Sequence, residues 1–393
     1  MENLLERARQ LQNELVRHRR YLHMHPELGM ELPVASAYVA DQLTLMGYTP
    51  SFIGGCGVVA TVGKPGGKTI LLRADMDALP LQEESGLAFS SQVAGAAHCC
   101  GHDLHTAMLL GAARLLKEYE SELPGMVKLM FQPGEETLEG ARAMLSEGIL
   151  SNPNVDAAMA VHVNSIVPLG RFLVFHGPVA ASNDIFTIRV NGKGGHGSRP
   201  EETIDPINAA CHIHTALQAL QARELRSGEM GVLTIGSIHG GSAPNVIPES
   251  VAMEGTIRTY SCDIREMMIQ RLQQISEQIG QAFRCDPIVE MSDRYTIPLV
   301  TDEAVASQVH QSLRKLFPAQ QTLYVNRSFA GSEDFAFVTQ QVPSSFVVLG
   351  AAISEQVRYG QHHPKVQFHE DCLPLGAAAY AQAALGWLNS NID

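Results

Sequence analysis

The stretch Leu71-Leu72-Arg73-Ala74-Asp75-Met76-Asp77 (residues 71–77) has the pattern of a buried strand that ends in carboxylates. Two further predicted strands end in ionisable residues: Val127–Phe131 precedes a pair of glutamates, and Ala157–Val161 runs into His162. Open α/β sheets bind ligands just outside the carboxyl ends of their strands. Three such strand ends therefore predict one crevice at one edge of one sheet.

Strands and helices alternate around this stretch, as they do in a mostly parallel sheet covered by helices. A β-rich run at Gly57–Val62 precedes it, and a helical pattern follows from Asp103, the expected N-cap, to about Tyr119. Another helical pattern covers Glu139–Glu147, and the amino-terminal residues up to about His23 are predicted to form one amphipathic helix. The predicted fold class is α/β, with helices on both faces of a mostly parallel sheet.

The pattern changes between residues 181 and 294. Predicted strands and helices follow one another there as β-α-β-β-α-β, which is the ferredoxin-like arrangement. Helix and strand patterns resume after residue 294. We therefore predict a discontinuous catalytic, metal-binding domain of residues 1–180 and 295–393. The inserted α+β domain of residues 181–294 is predicted to serve as a lid and dimerisation domain.

Composition and charge narrow the classes of function. The 393-residue chain carries 28 Lys and Arg against 41 Asp and Glu, a net charge of −13, so it repels phosphate backbones and anionic lipids. We therefore expect no nucleic acid and no membrane as partner. Residues Met1–Arg7 lack the basic-then-apolar order of a signal peptide, and seven scattered cysteines fit a reducing compartment. These features predict a cytoplasmic protein.

The octapeptide of residues 98–105, HCCGHDLH, contains a candidate metal site. A cysteine and a histidine two residues apart on a glycine-hinged loop, Cys100 and His102, can turn towards one metal ion. The alternative is a small buried cysteine beside surface histidines. Glu135 and Glu136 follow a Pro-Gly pair, so one carboxylate can bind a metal while its neighbour reaches the metal's water. The alternative is a solvated helix start, where the helix dipole favours acids.

Three loops outside these strands carry further candidates. Pro364 restricts the residue before it to extended geometry, which fixes how the loop presents His362 and its neighbour, unless these are ordinary surface histidines. The glycine-rich residues 192–198 lack the order of a phosphate-binding loop and either form a hairpin turn or bring His196 close to a ligand. Arg258 suits a substrate carboxylate or an exposed salt bridge.

The motifs occur together in a recognisable order. They are RADMDALP (73–80), CGHDLH (100–105), PGEE (133–136), the strand end at His162, GGHGSRP (194–200), NVIP (245–248), GSEDF (331–335) and HHP (362–364). This combination resembles the dinuclear metal-dependent amidohydrolases and peptidases that include hippurate hydrolase, N-acyl-amino-acid deacylases and the auxin-conjugate (IAA-amino acid) hydrolases. The resemblance spans nearly the whole chain.

The resemblance implies roles for the candidate residues. Cys100 corresponds to a thiolate that bridges two metal ions, and Glu135 corresponds to the general base. The other protein ligands implied are His102, Glu136, His162 and His362, while Asp77 would orient a ligand, His196 and Asn245 would contact the oxyanion or substrate, and Arg258 would bind the substrate carboxylate. Gly197 and Glu201 depart from the family pattern, where many members have Ala and His, and these departures affect the acyl pocket.

The reaction implied is hydrolysis of the amide bond of a small-molecule N-acyl amino acid, of the hippurate or N-acetyl-amino-acid type. A metal-bound hydroxide with Glu135 as general base would release a carboxylic acid and a free amino acid. The cofactors implied are two divalent ions per chain, Zn²⁺ or Mn²⁺, because thiolate and imidazole suit zinc while carboxylates also suit manganese. An edge strand of the inserted domain predicts a homodimer.

Three alternatives remain at this point. A dipeptidase or carboxypeptidase on the same scaffold would differ only in whether the acyl group is itself an amino acid. A covalent mechanism with Cys100 as nucleophile would leave the glutamates, His162 and His362 without a role. A non-catalytic metal-binding or small-molecule-binding protein would have no need of Glu135.

Overall fold

The computed structural model describes residues 4–354 and 359–391. Residues 1–3 of the segment assessed for a signal peptide therefore lie outside the described residues. Two compact units are present. The large unit comprises Met1–Val179, Val300–Arg327 and Asp334–Asp393, and the small unit comprises Ala180–Leu299 and Ser328–Glu333. The inserted domain predicted from the sequence spans residues 181–294, and these limits stay a prediction.

Helices and strands alternate along the first part of the chain. In order they are α1 (Leu4–Gln10), α2 (Gln12–Met24), α3 (Pro33–Leu45), β1 (Ser51–Ile53), β2 (Gly57–Gly63), β3 (Thr69–Asp75), α4 (His102–Glu118), β4 (Met126–Gln132), α5 (Gly140–Ser146), β5 (Ala157–Pro168), β6 (Phe172–Phe175) and β7 (Gly177–Ala180).

The middle and the end of the chain complete the two units. The middle contains β8 (Asn183–Asn191), β9 (Gly195–His196), α6 (Pro206–Ala219), β10 (Gly231–Gly240), β11 (Val246–Ile247), β12 (Ser250–Thr259), α7 (Cys262–Ala282) and β13 (Asp286–Thr296). The end contains β14 (Leu299–Thr301), α8 (Glu303–Leu313), β15 (Thr322–Val325), α9 (Ala336–Thr339), β16 (Ser344–Ala352) and α10 (Cys372–Ser390).

An eight-stranded sheet forms the centre of the large unit, in the order β1-β2-β4-β3-β5-β16-β6-β15. The four central strands β4, β3, β5 and β16 run parallel, and β6 and β15 form a further parallel pair. The pairs β1–β2, β2–β4 and β16–β6 are antiparallel. The predicted mostly parallel α/β sheet is therefore confirmed.

Helices cover both faces of this sheet. Every residue of β3 and β16 is buried, as expected for central parallel strands. Alternate residues of β3, Ile70, Leu72 and Ala74, belong to a core shared with α4 and α10, while the intervening Leu71 and Arg73 are buried on the opposite face. There α5 packs against β4 and α9 packs against β16. The alanine-rich sequence of α10 gives close contact with α4.

The small unit has a four-stranded antiparallel sheet in the order β10-β12-β8-β13. Together with α6 and α7 this is the strand and helix order that the sequence predicts. One face packs against the two helices: Phe186, Ile188 and Val190 of β8 lie in the core, whereas Ile185 and Arg189, which point to the other face, are exposed. This alternation is typical of an antiparallel sheet with one solvated face.

Two details of the sequence prediction are wrong. The amino-terminal helix is interrupted at Leu11, where α1 has ended and α2 has not begun. Asp103 is not the N-cap of α4, because Gly101 occupies that position and Asp103 lies buried in the first turn. Its Oδ2 accepts hydrogen bonds from Arg19 Nε (3.1 Å) and His23 Nδ1 (2.9 Å). The Asp103 side chain therefore binds two side chains of α2 instead of capping α4.

Within residues 4–354 and 359–391, no helix combines the length and the apolar character that crossing a membrane requires.

Candidate metal centre

The loop before α4 places Cys100 and His102 on either side of a glycine. Gly101 has φ +104°, and a Cβ there would lie 2.4 Å from Val163 Cγ2, so only glycine fits. Cys100 and His102 are both buried. A positive φ at this residue turns the chain sharply between the two side chains and lets both face the same space.

One hydrogen bond sets which nitrogen of His102 can bind a ligand. Nδ1 lies 2.8 Å from the carbonyl oxygen of Asp77, and a carbonyl oxygen only accepts, so Nδ1 carries the proton. The other nitrogen, Nε2, is buried and has no hydrogen-bond partner among the described residues. A buried unpaired nitrogen is costly unless something binds it, which fits a metal ligand.

His162 is oriented in the same way. Its Nδ1 donates to the carbonyl oxygen of Val163 (2.7 Å), which also accepts from Gln361 Nε2 (2.9 Å). This leaves Nε2 turned towards the sulfur of Cys100, at 3.6 Å. The second nitrogen of a metal-bound histidine usually donates to a carbonyl or a carboxylate, and both His102 and His162 show that arrangement.

Asp77 holds the loop that carries the two glutamates. Its Oδ1 accepts the backbone N–H of Glu135 (3.1 Å), and its Oδ2 accepts that of Glu136 (3.0 Å). The side chains of the two glutamates then approach His102 Nε2, with Glu135 Oε2 at 4.0 Å and Glu136 Oε1 at 3.9 Å. Glu136 Oε1 is a second buried atom without a hydrogen-bond partner in the described chain.

His362 reaches the same place from the loop before α10. Its backbone N–H donates to the carbonyl oxygen of Cys99 (2.9 Å), which ties this loop to the loop of Cys100. Its Nε2 lies 3.5 Å from Glu136 Oε1, and its side chain is 56% exposed. His362 has φ +66°, so the residue itself adopts a left-handed conformation.

The predicted ligands, together with Glu135, the predicted base, form three overlapping groups of possible ligand atoms. In each group the atoms lie within 4.8 Å of one another, and the groups are Cys100, His102 and His162; Cys100, Glu136 and His362; and His102, Glu135 and Glu136. Cys100 belongs to the first two groups, as a ligand shared by two ions would. Sulfur, imidazole and carboxylate donors together with the unpaired His102 Nε2 and Glu136 Oε1 fit a two-ion site.

The electrostatics of this cluster favour a bound cation. Burial raises the pKa of the Cys100 thiol well above its ordinary value, and it raises the pKa of Glu136 to about 7. Burial opposes the charged form of His102, but Asp75 and Cys100 beside it outweigh burial and raise its pKa well above the usual range. A divalent ion would stabilise the thiolate and carboxylates.

His196, which lies in the small unit, is exposed on β9, where it pairs with Val246. Its Nδ1 accepts the backbone N–H of Ser198 (3.1 Å) and lies 2.9 Å from Ser198 Oγ. Because a backbone N–H only donates, Nδ1 is unprotonated, and the neutral ring carries its proton on Nε2. The ring therefore offers one N–H donor.

Asn245 and Arg258 also lie in the small unit. Asn245 is exposed, and its carbonyl oxygen accepts the backbone N–H of Gly197 (2.9 Å), so the two glycine-containing loops of this unit are joined. Arg258 is on β12, and its Nη1 donates to the carbonyl oxygen of Ala330 (3.2 Å). Among the described residues, no ion pair of Arg258 supports the salt-bridge alternative.

Sequence reasoning assigned no role to a second buried layer beside the ligands. His105 Nδ1 lies 2.5 Å from Asp75 Oδ1, and Arg73 Nη1 donates to Asp75 Oδ2 (2.8 Å). All three residues are buried. The sequence feature that could have indicated this layer is the spacing of His102 and His105, since residues three apart on a helix lie on the same face.

Comparison with known proteins identifies the family. The profile of Peptidase family M20/M25/M40 matches residues 71–386. The chain is 35% identical over 378 residues to the IAA-amino acid hydrolase ILR1-like 2 of Arabidopsis thaliana, covering 95% of this chain and 85% of that protein. It is 36% identical over 384 residues to the N-acetyl-L-cysteine deacetylase of Bacillus subtilis (97% and 90%), and 36% identical over 402 residues to thermostable carboxypeptidase 2 of Saccharolobus solfataricus (99% and 99%).

Solved structures agree with this assignment. A crystal structure from methicillin resistant Staphylococcus aureus superposes with a TM-score of 0.92 at 33% identity, covering 98% of this chain and 99% of that chain. The Bacillus subtilis YXEP protein, a dinuclear metal binding peptidase, has a TM-score of 0.84 at 31% identity and covers 97% and 99%. The predicted resemblance is confirmed, and the chain belongs to Peptidase family M20/M25/M40 as a metal-dependent hydrolase of amide bonds.

Proposed function

We propose that this protein hydrolyses N-acyl amino acids to a carboxylic acid and a free amino acid. The observation that carries the proposal is the convergence of the ligand atoms on Cys100 with the Glu135 carboxylate beside them. The relatives named as an IAA-amino acid hydrolase and an N-acetyl-L-cysteine deacetylase support the substrate class. An N-acyl-amino-acid amidohydrolase is the activity that agrees both with this cluster of side chains and with the named relatives.

Cys100 would be one of the ligands that hold two divalent ions. His102, Glu136, His162 and His362 complete the set. Divalent ions held there would polarise the amide carbonyl and lower the pKa of a water molecule from 15.7 to about 7. The thiolate and three imidazoles suit Zn²⁺, and the carboxylate also suits Mn²⁺.

Glu135 is the proposed general base. Its side chain is 8% exposed, and its backbone is held by Asp77, so the carboxylate has a defined position beside His102. It would take the proton from the attacking water and return it to the leaving nitrogen. Such a proton transfer accelerates a reaction by about 10²–10⁴-fold.

Residues of the small unit are proposed to bind the substrate. His196 offers Nε2–H as a hydrogen-bond donor for the oxyanion, because its Nδ1 is occupied by Ser198. Asn245 would contact the same part of the substrate, and the guanidinium of Arg258 would bind the carboxylate of the amino acid. The lid role predicted for residues 181–294 belongs to this proposal.

A second candidate is a carboxypeptidase or dipeptidase. The Saccharolobus solfataricus relative named a thermostable carboxypeptidase, which matches 99% of this chain, favours it. Both reactions use the same ligands and the same base, and they differ in whether the acyl group is itself an amino acid. Substrates such as N-benzoylglycine and glycylglycine, compared at equal concentration, separate the two.

A homodimer through the small unit and a cytoplasmic location complete the proposal. Strand β10 is at the edge of its sheet, and Val232 and Ile238 on it are 43% and 50% exposed. An edge strand with exposed apolar residues can pair with a second copy. Light scattering of the wild-type protein and of Ile238→Lys would measure the subunit number, and a monomeric wild-type protein would contradict the dimer.

The decisive experiment measures metal content and hydrolysis together. Elemental analysis is combined with hydrolysis of N-acetyl, N-benzoyl and unblocked dipeptide substrates, before and after removal of metal with a chelator. We expect about two ions per chain and chelator-sensitive cleavage of the N-acyl substrates. Activity that survives complete chelation would contradict the metal mechanism.

The role of Glu135 is tested by Glu135→Gln. We expect kcat to fall by about 10²–10⁴-fold while both ions stay bound. The matched control is Glu139→Gln, which changes the glutamate that immediately precedes α5. Full activity of Glu135→Gln with its metal bound would show that another group is the base.

A further inference from the structure

The two central strands β3 and β5 part where the metal centre lies. They pair from Ile70 with Ala157 to Arg73 with Ala160, and β5 then continues to Pro168 along its other neighbour, β16. The edge of β5 that faced β3 therefore loses its strand partner just before His162. Buried backbone N–H groups need a hydrogen-bond acceptor, so something else must replace the strand.

Two helix side chains take the place of the missing strand. The Tyr380 hydroxyl of α10 accepts the N–H of Val161 (2.9 Å) and donates to the carbonyl oxygen of Arg73 (2.6 Å), so it spans the gap. Two residues further, His105 Nε2 of α4 accepts the N–H of Val163 (2.8 Å). The residue between these two anchored peptides is His162.

The protonation of His105 follows from its partners. Val163 N–H only donates, so Nε2 of His105 is the acceptor and Nδ1 carries the proton. Nδ1 donates to Asp75 Oδ1, and Arg73 holds the other carboxylate oxygen. A chain of hydrogen bonds thus runs from Arg73 through Asp75 and His105 to the backbone N–H of Val163.

The backbone of the same residue orients His162, because the carbonyl oxygen of Val163, in the next peptide unit, accepts from His162 Nδ1 (2.7 Å). The N–H of Val163 therefore donates to His105, and the carbonyl oxygen of Val163 accepts from His162. We propose that His105 is a positioning residue, which fixes the backbone at Val163 in place of the missing strand and thereby aims His162 Nε2 at the metal centre. The inference rests on the proposed role of His162 as a ligand.

Two substitutions of His105 separate positioning from general stability. His105→Gln places an amide oxygen where Nε2 was and can still accept Val163 N–H. His105→Asn is too short to reach Val163, but it can still donate to Asp75 from the position of Nδ1. The control is Tyr48→Phe, which removes another buried hydrogen bond to α4, from Tyr48 Oη to the carbonyl oxygen of Ala113 (2.8 Å).

The readouts are the melting temperature, Co²⁺ affinity measured against a competing chelator, and the thiolate-to-Co²⁺ absorption band of the metal-substituted protein. We expect His105→Asn to weaken Co²⁺ binding by about 10–100-fold and to change the band, since partners behind metal ligands have effects of that size. His105→Gln restores most of the affinity. Tyr48→Phe lowers only the melting temperature.

Three results would overturn the inference. Unchanged Co²⁺ affinity and an unchanged band in His105→Asn would reduce His105 to a structural residue, and so would equal behaviour of the Asn and Gln variants. If the wild-type protein binds no Co²⁺, the proposed function fails first, and the inference fails with it. The wild-type titration thus distinguishes the two failures.

Discussion

The proposed metal centre of the large unit and the proposed substrate-binding residues of the small unit are built differently. In the large unit, Cys100 and His102 are buried, and His102 is tied to a backbone carbonyl. In the small unit, His196 and Asn245 are exposed, and the contacts of His196 come from Ser198, two residues away.

The difference follows from what each region has to hold. Metal ligands must meet within tenths of an ångström, so their geometry is set by buried backbone groups that cannot move independently. Substrate contacts can form when the substrate arrives, so exposed side chains on short strands suffice. Substitutions in the large unit should therefore change metal binding, and those in the small unit should change turnover or substrate affinity without losing metal.

The largest effect is expected for Gly101→Ala. The positive φ disfavours alanine, and its Cβ would meet Val163 at 2.4 Å, so the loop of Cys100 and His102 and the strand of His162 would both shift. We expect loss of bound metal and of nearly all activity, checked by elemental analysis and hydrolysis. Gly66→Ala, at φ +94° with open space around it, is the control. Retention of two ions by Gly101→Ala would contradict the close fit.

His196→Ala comes next and tests the opposite region. Loss of one oxyanion donor should lower kcat by about 10²–10³-fold. Metal content and melting temperature should not change, because the side chain is exposed. The control is His212→Ala, an exposed histidine on α6 that stacks on Phe283. A variant that loses metal together with activity would break the division between the two regions.

Arg258→Ala should act on substrate affinity. A hydrogen-bonded charge pair is worth about 1.5–3 kcal/mol, so KM for an N-acyl amino acid should rise roughly 10- to 100-fold with little change in kcat. Amidated substrates, which lack the carboxylate, should be almost insensitive to the substitution. Arg189→Ala, an exposed arginine on the neighbouring strand β8, is the control. An equal loss for both kinds of substrate would remove the carboxylate-binding role.

The smallest effect is expected for Ser198→Ala. The hydroxyl is one of two groups on His196 Nδ1, and the backbone N–H of residue 198 still holds the ring after the substitution. A single hydrogen bond of about 1 kcal/mol corresponds to a fall in kcat of roughly fivefold. Steady-state kinetics of Ser198→Ala and His196→Ala, measured side by side, provide the check. A loss as large as that of His196→Ala would mean that the hydroxyl itself acts on the substrate.

Most of the fold could be predicted from local patterns. The strand at Thr69–Asp75 and the helix at His102–Glu118 are close to their predicted positions, because β-rich runs and helical periodicity depend on near neighbours. The interruption at Leu11 and the short edge strand Thr322–Val325 carry too few residues to give a periodic signal. They form because the rest of the fold packs against them.

The sequence by itself determined the residue types and spacings that point to a metal-dependent hydrolase, since Cys100 with His102 and Glu135 with Glu136 are near neighbours along the chain. Only the tertiary structure decided how those side chains are held. Val163 meets His105 across 58 residues, and Val161 meets Tyr380 across 219. No local pattern encodes such pairs, because they arise where two strands separate and helices from distant parts of the chain supply the missing acceptors.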